Sequence, residues 1–135
     1  MLTKTLSGAN KFILGLAIFW TLSIAFLCLA DLNRLPNLPS FGVSGVDKYV
    51  HSAFHFGFTL LWSSYFWRTQ KGRVIKTVYK VLFISVSYGI LIEILQGVFT
   101  ATRKADVMDV LANATGATIA VIVLLCYKHC NKNKN

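Results

Sequence analysis

The residues that could do chemistry in this 135-residue sequence are carboxylates and histidines placed at helical spacing. Asp47, His51 and His55 follow one another at intervals of four residues, and Glu93 and Gln96 are three apart. Residues three or four apart share one face of an α-helix, so each set directs its polar groups to one side. Carboxylates beside an imidazole can hold a divalent cation or transfer a proton in general acid–base catalysis.

A longer polar stripe lies near the C-terminus. Its members are spaced three, four, three and four residues apart along one helical face: Asp106, Asp109, Asn113, Gly116 and Ala120. The stripe begins with polar residues and continues with small ones. Gly116 and Ala120 match the small-xxx-small pattern that lets helices approach closely. We therefore expect this helix to pack tightly against another and to present carboxylates at one end.

Four apolar stretches must position these side chains. They cover residues 12–30, 49–67, 78–99 and 107–127, and each is close to the ~20 residues that a helix needs to cross a bilayer. The composition agrees, because 55% of the residues are apolar and only 14% are charged, against about 25% charged in soluble domains. The sequence predicts an all-α protein, a four-transmembrane-helix bundle that forms one domain over residues 1–135.

Lysine and arginine are distributed unevenly among the segments outside the apolar stretches. The connection 68–77 and the two termini carry most of them, whereas the segment 31–46 and the last connection carry few. Because cytoplasmic loops are enriched in Lys and Arg, both termini and the basic loop 68–77 are predicted to be cytoplasmic, and 31–46 to be an outer loop. An alternative, cleavage of the first stretch as a signal peptide, would leave three spans.

This orientation brings polar residues from three stretches to one extracytoplasmic level. Ionisable side chains within a membrane are costly, so they usually face the interior of a bundle or a cavity. The candidate catalytic residues are Glu93, His51 and Asp109. The candidate binding residues at the same level are Asp47, Lys48, Gln96, Arg103, Asp106 and Asn113.

The residue types at this level narrow the chemistry without specifying a reaction. Carboxylates and an imidazole suit Mg²⁺, Mn²⁺ or Ca²⁺, or Zn²⁺ where histidine dominates, so a divalent cation is one alternative for a cofactor. Lys48 and Arg103 at the rim could bind an anionic group such as a lipid phosphate. The sequence has no nucleophile motif and no glycine-rich phosphate loop. Both an enzyme and a binding protein therefore stay open.

Other interpretations assign these polar groups no chemistry. Glu93, Gln96 and Asn113 could be interhelical hydrogen-bond partners in a structural or accessory membrane protein. His55 is interpreted as a packing histidine. A proton or ion pathway is disfavoured, because the polar residues are expected to stop near Asn113 and Glu93 and to leave the other half of the bundle apolar.

The net charge of +9 and the three cysteines add little beyond the membrane assignment. The basic residues lie between the apolar stretches rather than on one amphipathic face, so no nucleic-acid partner is expected and membrane lipids are. Cys28 lies within the first stretch, and the other cysteines lie at the cytoplasmic end of the last, where thiols stay reduced. Cys126, His129 and Cys130 have a spacing that could bind a metal, but we interpret them as a solvated tail.

Three motifs in a fixed order contain most of these residues. They are Asp47-Lys48-x-x-His51, Glu93-x-x-Gln96 and Arg103-x-x-Asp106-x-x-Asp109-x-x-x-Asn113-x-x-Gly116. Together they resemble the VanZ-like family of small bacterial membrane proteins. The resemblance implies a four-helix protein of the bacterial inner membrane with these residues at the family positions. The family's namesake is associated with low-level resistance to the glycopeptide teicoplanin. The resemblance therefore implies a role at the cell envelope, with a lipid-linked cell-wall precursor or a glycopeptide as partner.

Overall fold

Four α-helices account for nearly all of the residues that the computed structural model describes, which are 7–30, 46–70, 74–99 and 105–132. The helices are α1 (Gly8–Leu29), α2 (Val46–Thr69), α3 (Val74–Phe99) and α4 (Val107–Lys132), and the described ranges contain no strand. The all-α prediction is confirmed. The predicted outer loop 31–46 lies outside the described residues except for Val46, and so does Arg103.

The helices extend beyond the apolar stretches that the sequence shows. α2 continues through Arg68 and Thr69, and α3 begins at Val74, so much of the predicted loop 68–77 is helical. A helix can continue past the hydrocarbon region because its backbone groups stay hydrogen-bonded within the helix. The apolar stretches therefore mark where lipid could surround a helix rather than where the helix ends.

Asp106 sets the start of α4. Its carboxylate Oδ1 accepts a hydrogen bond from the Met108 backbone N–H at 2.8 Å, and its carbonyl oxygen accepts one from the Asp109 N–H at 3.0 Å. This is an N-cap, in which an aspartate side chain satisfies a free N–H of the first turn. Asp109 adds a negative charge in the same turn, where the helix dipole favours it. The cap thus places two of the predicted site residues side by side.

Consecutive helices run in opposite directions. Near the ends of α3 and α1, the Gln96 side chain donates a hydrogen bond to the Cys28 carbonyl oxygen at 2.7 Å. At the opposite end of the bundle, the rings of Trp67 in α2 and Tyr127 in α4 pack edge to face, with centroids 6.3 Å apart. α1 and α3 therefore end at the level where α2 and α4 begin.

α2 is the central helix, since it contacts each of the other three. Its most extensive contact is with α4, where Gly116 lies directly against the Ser52 backbone, so that a Cβ on Gly116 would collide with the Ser52 carbonyl oxygen. Ala117 and Ala120 on α4 are fully buried. This is the close approach that the small-residue pattern predicts. α1 packs against α2 and α3 and, over the described residues, does not touch α4.

Three of the helices are long and apolar enough to cross a membrane. Large apolar side chains such as Phe12, Phe83 and Ile122 are exposed on the outside of the bundle. Such exposure is expected where lipid tails, as apolar as the side chains, surround the protein. The three candidate spans are Gly8–Leu29, Val74–Phe99 and Val107–Asn131.

α2 has a sufficient length of 24 residues but is not among the three candidate spans, because it is less apolar. Its buried face carries polar side chains at four-residue intervals: His51, His55, Thr59 and Ser63. A central helix can carry them because its neighbours shield that face from lipid. The low hydropathy of α2 is therefore a result of its position inside the bundle.

Candidate functional site

Four polar side chains from three helices meet inside the bundle, at the end where α2 and α4 begin. They are His51 from α2, Glu93 from α3, and Asp109 and Asn113 from α4, and we call them the polar cluster. All four residues are buried. Asp109 and Asn113 are four residues apart and so share the face of α4 that packs against α2. The opposite directions of α2 and α3 bring Glu93 to the same depth as His51.

The imidazole of His51 lies at the centre of the polar cluster. Its Nδ1 atom is 3.2 Å from Asn113 Oδ1 and 3.8 Å from Glu93 Oε1, and its Nε2 atom is 3.8 Å from Asp109 Oδ2. One ligand atom each from His51, Glu93 and Asp109 lie within 4.8 Å of one another. The geometry thus surrounds one imidazole with oxygen atoms on both edges.

The polar cluster is incompletely hydrogen-bonded. Glu93 Oε2 accepts a hydrogen bond from the Asp106 backbone N–H at 3.2 Å. In contrast, Glu93 Oε1, Asp109 Oδ1 and Asn113 Nδ2 are buried and have no hydrogen-bond partner among the described residues. A buried polar atom that lacks a partner costs about 1–3 kcal/mol, and more if it is charged. This part of the fold is therefore not optimised for stability.

Lys48 lies at the rim of the polar cluster, among three carboxylates. Its Nζ atom is 3.5 Å from Asp106 Oδ2, 3.7 Å from Asp109 Oδ1 and 4.0 Å from Asp47 Oδ2. The Lys48 side chain is 37% exposed, whereas that of Asp109 is 12% exposed. The rim therefore joins the buried cluster to the surface through a network of charged groups.

Asp106 differs electrostatically from the buried carboxylates. Its hydrogen bond from the Met108 N–H holds the pKa of the Asp106 carboxyl below its ordinary value, and the positive charge of Lys48 acts in the same direction. Partial desolvation opposes the shift but is outweighed. Asp106 is therefore ionised at neutral pH and serves as a fixed negative charge at the rim.

The polar cluster and its rim lie within the part of the chain that matches a known family. The VanZ/LLP1 family model matches residues 23–128, well over half of the chain. The chain belongs to the VanZ/LLP1 family. The resemblance seen in the motifs is thereby confirmed. Neither the curated proteins nor the solved structures yield a match.

The structure of this VanZ/LLP1 protein brings together most of the predicted site residues. The polar cluster and its rim contain Asp47, Lys48, His51, Glu93, Asp106, Asp109 and Asn113. Gln96, predicted to bind a ligand, donates a hydrogen bond to the Cys28 carbonyl oxygen and so links α3 to α1. Arg103 lies outside the described residues. The catalytic and binding roles of all of them stay predictions.

Sequence reasoning missed a second set of polar contacts in this VanZ/LLP1 protein. His55 Nδ1 lies 2.9 Å from Ser85 Oγ, and both side chains are fully buried. Thr59 and Ser63 continue the same face of α2 with buried hydroxyls. The interior of the bundle beyond the polar cluster was expected to be apolar, but it contains these polar groups. The four-residue spacing that begins at Asp47 and His51 continues to Ser63, and it could have indicated a polar face along the whole of α2. No such spacing marks Ser85, since a single serine in an apolar stretch does not indicate which residue it contacts.

Proposed function

We propose that this protein spans the bacterial inner membrane four times, with both termini in the cytoplasm, and that its polar cluster binds or acts on a phosphate-bearing envelope lipid at the extracytoplasmic face. The observation that carries the proposal is a buried set of carboxylates and an imidazole with unpaired oxygen atoms, at the end of an apolar bundle. A lipid headgroup would meet the protein at this depth.

The distribution of basic residues supports this orientation. Arg68, Lys76 and Lys80 lie on α2 and α3 at the end of the bundle away from the polar cluster, and Lys128 lies near the end of α4. A basic end is expected on the cytoplasmic side of a membrane protein. The polar cluster would then face the outside, where cell-wall precursors are used.

The rim supports a charged ligand. Lys48 is partly exposed and could leave its carboxylate partners to contact a phosphate oxygen, and Arg103 lies close in sequence to the cap of α4. Arginine binds phosphate through two parallel hydrogen bonds and lysine through a single positive charge. A lipid-linked cell-wall precursor carries such a phosphate, which would connect the site to glycopeptide action.

Binding of a phosphate lipid to the purified full chain in detergent tests this proposal. A polyprenyl phosphate is the probe, and phosphatidylcholine is the reference lipid. Removing the positive charge in Lys48→Gln or Arg103→Gln should weaken binding of the probe by about tenfold or more, since a charge-assisted hydrogen bond contributes about 1.5–3 kcal/mol. Lys80→Gln, at the opposite end, is the matched control and should bind as the parent does. Unchanged binding by both the Lys48 and the Arg103 variant would overturn the proposal.

A second candidate is a non-catalytic accessory protein whose polar groups only hold the helices together. Specific hydrogen bonds favour it: Tyr88 Oη donates to the Thr21 carbonyl oxygen at 2.7 Å, and Trp20 Nε1 donates to the Phe54 carbonyl oxygen at 3.0 Å. Those bonds lie outside the polar cluster. If the parent protein turns over a phosphate lipid and Glu93→Gln abolishes turnover without loss of folding, the accessory interpretation fails.

A further inference from the structure

The surroundings of His51 call for a positively charged species. A neutral imidazole carries a single N–H, while its other nitrogen carries a lone pair. If the proton is on Nδ1, the lone pair on Nε2 faces Asp109 Oδ2 at 3.8 Å. If it is on Nε2, the lone pair on Nδ1 faces Glu93 Oε1 at 3.8 Å. In either tautomer a lone pair and a carboxylate oxygen face each other in a buried space, and a cation bound between them would relieve this repulsion.

Unpaired buried oxygens provide a second and independent observation. Glu93 is only 3% exposed, yet its Oε1 atom, which is the one directed at His51, has no hydrogen-bond donor among the residues that the structure describes. Asp109 Oδ1 also lacks a hydrogen-bond partner among the described residues, and Lys48 Nζ lies 3.7 Å from it. Oxygens of this kind are suited to bind a cation.

We infer that the polar cluster is a divalent-cation site in which His51, Glu93 and Asp109 each supply one ligand. Their ligand atoms lie within 4.8 Å of one another. Ligands bonded to one ion at about 2.0–2.4 Å are separated by roughly 3–5 Å, depending on the angle between them. The three side chains therefore need only small rotations to bind a common ion.

The donor set selects the kind of ion. One imidazole nitrogen and two carboxylates suit Zn²⁺ or Mn²⁺ better than Mg²⁺ or Ca²⁺, which prefer oxygen ligands alone. Two carboxylates balance the two positive charges of the ion, so the buried centre becomes neutral. Both conclusions follow from the side chains of the cluster and do not depend on the lipid.

The groups around the ligands would orient them. Whichever nitrogen of His51 binds the ion, the other has an oxygen beside it, either Asn113 Oδ1 or Asp109 Oδ2. The Asp106 N–H already holds one oxygen of Glu93. Metal-binding histidines and carboxylates are usually fixed by such partners.

Three protein ligands leave at least one coordination position open. An open position is typical of catalytic rather than structural metal sites. A phosphate oxygen could occupy it. The positive charge of the ion would then offset the repulsion between the phosphate and the acidic side chains of the cluster. This role of the ion rests on the proposed function, whereas binding of the ion itself does not.

Metal binding to the full-length protein in detergent tests the inference. The C-terminal tail could also bind Zn²⁺ through Cys126, His129 and Cys130, which are all exposed. All measurements therefore use a background in which these residues are replaced by Ser, Gln and Ser. After incubation with Zn²⁺ or Mn²⁺ and dialysis, the background protein should retain about one ion per chain. Retention of no ion of either kind would overturn the inference.

Substitutions in the cluster localise the ion. Glu93→Gln and Asp109→Asn should each lower the affinity at least tenfold, whereas Lys80→Gln, at the opposite end of the bundle, should bind as the background does. Equal binding by all three variants would refute the assignment. Because a cluster variant could fail to fold, pulsed electron paramagnetic resonance on Mn²⁺ bound to the background protein is a second readout. It should show coupling to one imidazole nitrogen, and an all-oxygen signal would contradict the site.

Lipid binding with and without the ion separates the two proposals. If the ion binds and the polyprenyl phosphate does not, the metal site stands and the proposed function fails. If the lipid binds equally well after EDTA treatment and no ion is retained, the proposed function stands and the metal site fails. If the lipid binds at least tenfold more tightly with the ion present, both hold.

Discussion

Two histidines one helical turn apart on α2 have opposite surroundings. His55 is fully buried and lies 2.9 Å from a serine hydroxyl, which can donate to or accept from either tautomer. His51 is almost as buried, but its neighbours are carboxylate and amide oxygens, most of them beyond hydrogen-bonding distance. The same residue type on the same face thus pairs with a hydroxyl at one level and lies among buried carboxylate oxygens that lack hydrogen-bond partners at the next. Unsatisfied polar groups persist where function requires them.

The largest expected effect concerns the contact that positions both histidines. In Gly116→Ala the new Cβ would collide with the Ser52 backbone, so α2 and α4 must move apart. We expect a loss of roughly 2 kcal/mol or more in the free energy of unfolding, since overpacking against backbone exceeds the helix propensity gained. Unfolding in detergent, followed by circular dichroism, measures it.

Gly15 on α1 provides the matched control for this comparison. No atom lies within 4 Å of a Cβ placed there, so Gly15→Ala should be neutral or stabilise by up to roughly 1 kcal/mol. If both variants unfold alike, the α2–α4 contact does not determine the stability of the bundle.

A stability effect of intermediate size distinguishes the surroundings of His55 from those of His51. Ser85→Ala leaves His55 buried without its partner and should cost about 1–2 kcal/mol. Glu93→Gln, compared with the parent in EDTA, should change the stability by less than about 0.5 kcal/mol or raise it. The amide still accepts the Asp106 N–H and gains a donor among acceptor oxygens. Equal losses in the two variants would mean that both levels serve only to join the helices.

The smallest expected effect is a pH dependence at the rim. The folded-state pKa of Asp106 lies below its ordinary value of 3.8, so its contribution to stability is present above that value and is lost as the pH falls through the lower, folded-state pKa. Asp106→Asn keeps a capping side chain but removes the charge. The parent should therefore be slightly more stable than this variant near neutrality, and the difference should shrink below about pH 4. A difference that is constant from pH 3 to pH 7 would contradict the role of this charge.

Sequence spacing predicted the polar stripes because a stripe is a property of one helix. Asp109, Asn113 and Gly116 could be placed on one face of α4 from their intervals alone, and the distribution of Lys and Arg brought α2 and α3 to the same level. The convergence of polar residues from three helices at one level followed from these two facts. Most of the candidate site could therefore be predicted before any contact was known.

The partners of individual side chains could not be predicted in this way. α1 has no charged residue within its apolar stretch, yet the carbonyls of Thr21 and Cys28 accept hydrogen bonds from α3. A backbone carbonyl is present at every position and so gives no sign in the sequence. The contact between Gln96 and the Cys28 carbonyl could not be predicted for the same reason.

The low hydropathy of α2 bears on how the chain enters a membrane during synthesis. α2 emerges after α1 but well before α4, its most extensive partner. In a four-span topology its polar face would be exposed to lipid, or held at the translocon, until residues 107–132 had been made. A helix that inserts poorly alone must wait for its neighbour, and assembly of this bundle is expected to proceed by joint release of α2, α3 and α4 rather than one helix at a time.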